Sequence, residues 1–308
     1  MIKSQITLKQ LEAFAFVVDT GTFRAAADAL GTTQPNISSR IAALEATLET
    51  TLLRRDAGSV RLTSTGSELL SRTRDVLRAA EALLEAAGRQ DMIEERLRLG
   101  VTELVACTWL QSFLRALRHA YPGLRVELEV DLSSRIEERL VAGQLDLALQ
   151  NAPFMSRVSG EIALSNEAYV WVANTSVANV LSKCGSVERF FQVSVLTHAR
   201  HTVAGLSLHQ LAAERGYDAS RIIHSSALTA CVPMVSEGLG VALLPKALVK
   251  SELATGALQE LAADWTAPPL EFFARFHSDR APRFVEHASV LAASLRPINQ
   301  RITKIDQV

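Results

Sequence analysis

The stretch 34–40 holds Gln34, Pro35, Asn36, Ser38, Ser39 and Arg40, residue types suited to touching a nucleic acid. Gln, Asn and Arg present donors and acceptors at fixed positions that match base edges, and Ser reaches bases and phosphates alike. A merely solvated helix more often carries Glu–Lys pairs four residues apart. Here no acid occurs between Asp28 and Glu45. Such a surface implies a polyanionic partner. Thr33 precedes this stretch, and Arg24, Arg54, Arg55 and Arg61 are placed to meet phosphates around it.

Helical periodicity must position these side chains. Ile37, Ile41, Leu44 and Leu48 recur on the opposite face of the same segment. Before it, Phe23, Ala26, Ala27 and Leu30 form a second apolar stripe, joined through Gly31-Thr32-Thr33. Two short helices around a Gly-containing turn form the helix-turn-helix pattern. A plain helical hairpin shares the periodicity, and only the outer face separates the two. Leu8, Leu11, Phe14, Ala15, Val17 and Val18 predict a third helix over 8–18, capped by Thr7. After Leu48, the run TLLRRDAGSVRLTSTG reads as a short hairpin turning at Ala57-Gly58-Ser59. Such a wing lays its arginines along a phosphate backbone; a solvated loop is the alternative.

Residues 8–66 resemble the DNA-binding domain of the LysR-type transcriptional regulators. The signature is Leu8, Leu11, Phe14, Val17, Gly21, Phe23, Ala25-Ala26, Leu30, Gln34-Pro35, Ile37-Ser38, Ile41, Leu44-Glu45, Leu48, Arg55, Leu62-Thr63 and Gly66. Two departures stand out. Glu49 replaces a usual Gly, which leaves open how the recognition helix ends. Leu53 replaces a usual Phe, a tolerable core exchange. The resemblance implies double-stranded DNA with a pseudo-palindromic promoter site, a small-molecule effector, self-association to a homodimer and a dimer of dimers, and RNA polymerase as partners.

A chain of 308 residues has room for two or three domains. Net charge is −1. Lys3, Lys9, Arg24, Arg40, Arg54, Arg55 and Arg61 nearly balance the acids of residues 1–65, so binding must rest on placed contacts, not on a bulk positive field. No run of 18 apolar residues and no signal-peptide profile occurs, so a cytoplasmic location without membrane contact is expected. Cys107, Cys184 and Cys231 are too sparse for a disulfide framework or a zinc site, and no metal or cofactor is expected. An enzyme is not expected either. GLGVAL (238–243) lacks the third glycine of a dinucleotide fingerprint, and neither Gly-x-Ser-x-Gly nor His-x-x-x-His occurs.

Residues 64–88 predict one long helix. Leu69, Val76 and Leu83 repeat every seven residues, as do Leu70, Leu77 and Leu84. An apolar strip between two domains needs a cover, and a second copy is the simplest one; packing on its own chain is the alternative. Leu69, Val76, Leu77, Leu83 and Leu84 are the candidate dimer contacts. Beyond a charged break, strands at 97–101, 124–131, 145–149, 169–173, 193–197, 222–226, 240–245 and 270–276 alternate with helices. This predicts an α/β architecture with mostly parallel, doubly wound sheets. The organisation expected is a winged helix-turn-helix over 1–63, a dimerising linker helix over 64–90 and an effector-binding domain over 91–308. Two lobes divide the last, one over about 96–166 plus 268–297 and the other over about 167–267. The resemblance implies a two-lobe domain similar to periplasmic binding proteins, with crossings at 163–168 and 266–270.

Ligands of open α/β sheets bind just past the strand ends. That rule nominates Thr102, Glu103, Ser133, Ser134, Gln150 and Asn151 from the first lobe, and Thr197, His198, His201, Ser225 and Ser226 from the second. Each hydroxyl could equally cap a helix. A carboxylate at Glu103 suggests an effector carrying both an acid and a donor, such as an amino or hydroxy acid. Pairing of Glu103 with His198, Arg200 or His201, or exposure to solvent, are the alternatives. Two other readings remain: a thiol switch, because Cys184 lies beside Lys183 in a polar stretch, and a free solute-binding protein.

Overall fold

The computed structural model describes residues 6–56, 59–93, 95–181 and 185–295. The chain opens with α1 (Leu8–Thr20), α2 (Phe23–Ala29) and α3 (Gln34–Leu48). A capping box starts α1: Thr7 Oγ1 accepts from Gln10 N–H, and the Gln10 side chain accepts from Thr7 N–H at 2.8 Å. Thr22 caps α2, and Pro35 sits in the first turn of α3, where its missing N–H costs nothing. Phe14, Val17, Ala26, Ile37 and Leu44 are fully buried and close the three-helix core. The wing follows as β1 (Leu53–Asp56) and β2 (Ser59–Leu62), antiparallel with Arg54 opposite Arg61. Residues 57 and 58, in the expected turn, lie outside the described residues.

Glu49 answers how α3 ends without glycine. It adopts the left-handed conformation itself, φ +52°, and donates its N–H back to the last helical turn. Glu45 then receives the Leu52 and Leu53 N–H groups on its carboxylate at 2.7 and 3.2 Å, fixing the entry to the wing. Gly66 is required by contact: a Cβ there would lie 2.1 Å from the Leu52 carbonyl oxygen.

Thr63 caps α4 (Ser64–Ala86), its hydroxyl accepting from Gly66 N–H at 2.8 Å. The second domain then runs β3 (Arg96–Val101), α5 (Glu103–Thr108), α6 (Leu110–Ala120), β4 (Arg125–Val130), α7 (Ser133–Val141), β5 (Leu147–Asn151) and β6 (Gly160–Glu167). It continues as β7 (Tyr169–Ala173), α8 (Thr175–Leu181), β8 (Ser194–His198), α9 (Val203–Arg215), β9 (Ile222–Ser225), α10 (Cys231–Ser236) and β10 (Gly240–Pro245). The last elements are α11 (Lys250–Thr255), β11 (Gln259–Leu261), β12 (Leu270–Phe276) and α12 (Arg283–Leu295). Trp109 separates α5 from α6.

Two five-stranded sheets result, β4-β3-β5-β12-β6 and β11-β7-β10-β8-β9. Each is mixed. β3 runs parallel to β4 and β5, and β8 parallel to β9 and β10. β12 and β7 run antiparallel to their neighbours. The chain leaves the first sheet between β6 and β7 and returns along β12. A buried network holds the first lobe: Arg275 pairs with Glu137 at 3.3 Å and Glu161 at 2.9 Å, over the Phe154 ring at 3.7 Å. No helix among the described residues is long and apolar enough to cross a membrane.

Candidate nucleic-acid interface and interlobe site

The core of α3 faces inward through Ile37, Ile41 and Leu44, which leaves Gln34, Pro35, Asn36 and Ser39 exposed and Ser38 and Arg40 half-exposed. Thr33 is the exposed N-cap residue, and its side chain makes no capping bond. Asn36 Nδ2 donates to Thr32 Oγ1 at 3.2 Å, which orients the amide along the turn. Arg24, Arg54 and Arg61 are exposed; Arg55 lies in β1 opposite Val60. Arg54 and Arg61 stand directly across the hairpin, where like charges repel. The arrangement presents one helix face with base-reading side chains, flanked by a cationic hairpin.

The linker divides its two apolar rows. Leu70 is buried in the N-terminal core and Leu77 packs against it, while Leu84 packs against the core of the second domain. Leu77 and Leu84 are thus half-buried against their own chain, the alternative that the sequence left open. Leu69 is also partly covered. Val76 and Leu83 remain exposed, at 48% and 71%. Ion pairs clamp α4 to its neighbours, with Arg74–Asp19 at 2.5 Å towards α1 and Arg283–Glu85 at 3.0 Å towards α12. A cavity of about 800 Å³ lies where α1, α4 and the first lobe meet. In its wall the Glu95 carboxyl is pushed up to about 8 by burial and by the charges of Glu81, Glu12 and Asp146.

Between the lobes, the nominated residues separate into three groups. In the first, the polar atoms are already used within the protein. Ser133 Oγ donates to the Asn151 carbonyl at 2.5 Å, and Asn151 Nδ2 donates to the Ala152 carbonyl at 3.0 Å. Ser225 Oγ donates to the Ala227 carbonyl at 2.6 Å, and buried Thr197 Oγ1 reaches the Leu243 carbonyl at 3.4 Å. The second group, Ser134, His201 and Ser226, is exposed.

The third group is different. Thr102 Oγ1, both amide atoms of Gln150 and His198 Nε2 are buried with no hydrogen-bond partner. Gln150 is fully buried and Thr102 is 6% exposed. Thr102 N–H donates to the Leu149 carbonyl at 3.2 Å, which brings these two residues together at the ends of β3 and β5. Ser165, which the strand-end rule missed, also holds a buried hydroxyl with no partner. It lies where a bulge interrupts the β6–β12 register, opposite the Phe272 that pairs with Asn151. No local motif marks such a serine, because its place depends on a long-range pairing.

Glu103 is half-buried, and among the described residues no ion pair gives it a cation. It sits at the start of α5 in the first lobe, yet its carboxylate accepts three bonds from the second lobe. These come from Leu228 N–H at 2.6 Å, Thr229 N–H at 3.1 Å and Thr229 Oγ1 at 2.5 Å. Partial burial raises its pKa, but the bonds from Thr229 and Leu228 and the nearby His198 outweigh this and hold it below the usual value. The expectation that Glu103 awaits an effector's donor is therefore corrected: its acceptors are occupied. His198 is held below the usual imidazole value by burial, against the pull of Glu103 and a Ser226 backbone bond, so it is neutral at pH 7.

Comparisons with known proteins agree with this geometry. Residues 8–67 match the model of the bacterial regulatory helix-turn-helix protein, lysR family, and residues 90–291 match the LysR substrate binding domain. The chain belongs to the LysR family. It is a LysR-type transcriptional regulator with a helix-turn-helix domain and a substrate-binding domain. A "probable hydrogen peroxide-inducible genes activator" from Streptomyces viridosporus is 31% identical, the match covering 98% of each chain. The regulator GltR of Bacillus subtilis is 23% identical over 82% of this chain and 84% of its own. Among solved structures, full-length OxyR from Pseudomonas aeruginosa covers 95% of this chain and 96% of its own at 20% identity, with a TM-score of 0.59. That likeness speaks for the fold of this LysR-type chain.

Proposed function

We propose that this LysR-type regulator reads a pseudo-palindromic DNA site as a homo-oligomer and responds to a small molecule held between its lobes. Gln34, Asn36, Ser38, Ser39 and Arg40 meet base edges, while Arg24, Arg54, Arg55 and Arg61 meet phosphates. Val76 and Leu83 give the linker an uncovered apolar row that a second copy would bury. RNA polymerase is the further partner that a transcriptional role requires.

One observation carries the effector reading: Thr102, Gln150, Ser165 and His198 each hold buried polar atoms with no hydrogen-bond partner. Buried polar groups are normally hydrogen-bonded, and leaving one unpaired costs about 1–3 kcal/mol. A ligand offering both donors and acceptors repays that cost. Among the described residues no ion pair gives Glu103 a cation, and its carboxylate lies near His198, so an uncharged ligand suits the site better than the amino or hydroxy acid that the sequence suggested. Thermal-shift titration of polyols, amides and carboxylic acids against wild type and Gln150→Leu tests this. Stabilisation by an uncharged compound, lost in the variant, supports the reading. Stabilisation that survives in both Gln150→Leu and Thr102→Ala places the ligand elsewhere.

A second reading draws on the peroxide-inducible relative from Streptomyces, and it concerns thiols. Cys107 is held above the usual thiol value by burial and by Glu103, and Cys231 is pushed up to about 11 by the same two causes. Neither is a ready thiolate at pH 7. Cys184 lies outside the described residues. DNA binding that changes with peroxide in wild type and not in Cys184→Ser would favour the thiol reading.

A further inference from the structure

Leu228 N–H, Thr229 N–H and Thr229 Oγ1 converge from the second lobe on one carboxylate, that of Glu103 in the first, at 2.6, 3.1 and 2.5 Å. We propose that these three donors form a carboxylate-binding seat and that Glu103 is its tethered occupant, which holds the lobes together without an effector and keeps acidic effectors out. The proposal rests on the interlobe effector reading and names the feature that decides the charge of what can enter.

Three observations carry it. The first is how the donors are divided. Leu228 N–H meets Oε2, while the N–H and hydroxyl of Thr229 meet Oε1, so both oxygens are engaged. A carboxylate accepts at both oxygens and an amide at only one, so the seat selects an acid over its neutral analogue. The second is how the seat is built. Ser225 Oγ accepts from Ala227 N–H at 3.2 Å and donates to the Ala227 carbonyl at 2.6 Å, and Ala230 N–H donates to that same carbonyl at 3.2 Å. Leu228 is 3% exposed and anchors the turn in the core. None of this support comes from Glu103, so the donors keep their geometry when its carboxylate is removed.

The third is location. Glu103 follows Thr102, whose buried hydroxyl has no partner, and its charge is felt by His198, whose buried Nε2 has none either. The filled seat and these unpartnered groups therefore share one interlobe region. Two-lobe domains close around a ligand that bonds to both lobes. Glu103 makes that bridge from within the chain, and a tethered group competes at an effective concentration that free carboxylates do not reach. An acidic effector finds its seat filled and meets a like charge. An uncharged effector does not compete for it.

Glu103→Ala removes a CH₂–COO⁻ unit, the shape of acetate, so acetate is the probe. Melting temperature and hydrogen exchange at Leu228 and Thr229 are followed in the full-length protein in potassium acetate, with acetamide and with potassium chloride of equal ionic strength as controls. Acetate should raise the melting point of Glu103→Ala saturably, by about 2–4 °C, and slow exchange at both N–H groups. Acetamide and chloride should do neither. Wild type, whose seat is filled, should respond to acetate no more than to chloride. Glu103→Ala/Thr229→Val should need about tenfold more acetate, having lost one donor to a charged acceptor. Glu103→Ala/Gln150→Leu should respond as Glu103→Ala does, so that failure of the effector reading and failure of the seat are told apart. In Glu103→Gln, which keeps the volume and loses one acceptor, exchange should speed up at Leu228 or Thr229. Three results would each overturn the proposal: Glu103→Ala that acetate stabilises no better than chloride, wild type that responds as strongly as the variant, or unchanged exchange in Glu103→Gln.

Discussion

Glu103 and Thr229 belong to different lobes, yet the Glu103 carboxylate accepts from both the backbone N–H of Thr229, at 3.1 Å, and its hydroxyl, at 2.5 Å. With Leu228 N–H as third donor, this is a clasp across the interlobe gap. Glu103→Ala should cost about 1–3 kcal/mol, the range for hydrogen bonds to a charged group. The sign of its pH dependence follows from the lowered pKa. The clasp's contribution is present in full above the unfolded carboxyl value and is lost as pH falls through the lower folded value. The melting-point gap between wild type and Glu103→Ala should therefore be constant from pH 6 to 8 and close at acid pH. Hydrogen exchange at Leu228 and Thr229 should accelerate in the variant.

Arg40 is half-exposed on α3, next to buried Ile41. Arg40→Ala should weaken binding to a site selected from a random DNA library by about 1–3 kcal/mol and relax preference at one position. Arg54→Ala on the wing should instead weaken all sequences alike and reduce the salt slope by about 1. An unchanged ratio of selected-site to random-site affinity in Arg40→Ala would remove Arg40 from base reading.

Leu83 and Leu84 are neighbours in sequence and face different surroundings. Leu83→Glu should raise the dimer dissociation constant, measured by sedimentation, and barely change the melting point. Leu84→Ala should cost about 1–2 kcal/mol of stability through lost burial and leave association intact. Equal effects of the two on association would contradict the division of the helix into an inner and an outer row.

The sequence carried the N-terminal domain almost in full, because its information is local: caps, stripes and turns lie within a few residues of one another. Thr7 caps α1 as its position suggests, and Thr22 and Thr63 cap α2 and α4. In the second domain the strands were legible as apolar runs, but pairing was not. β6 and the bulge that carries Ser165 come from contacts with β12, about a hundred residues later. For the same reason, strand-end logic could nominate Ser133, Ser225 and Gln150 alike. Only the fold reveals that the two serines spend their hydroxyls on carbonyls while Gln150 is left unpaired. For Glu103 the sequence suggested a ligand donor or a cation as partner, whereas the carboxylate bonds Thr229, 126 residues away.

Glu49 offers a stability test. A non-glycine residue held at φ +52° costs about 1–2 kcal/mol, part of which glycine would give back in unfolded-state entropy. Glu49→Gly should stabilise the DNA-binding domain by about 0.5–1 kcal/mol in denaturant titration. A loss of stability would mean that the Glu49 side chain contributes more than its backbone costs.

The most direct test of the effector account is the melting temperature of ligand-free Gln150→Leu beside wild type. If Gln150 is kept for a ligand, its unpaired amide destabilises the empty protein, and leucine of similar volume should raise the melting point by about 2–6 °C. A lower melting point in Gln150→Leu would mean that the amide is satisfied within the protein, and would contradict an interlobe site built on it.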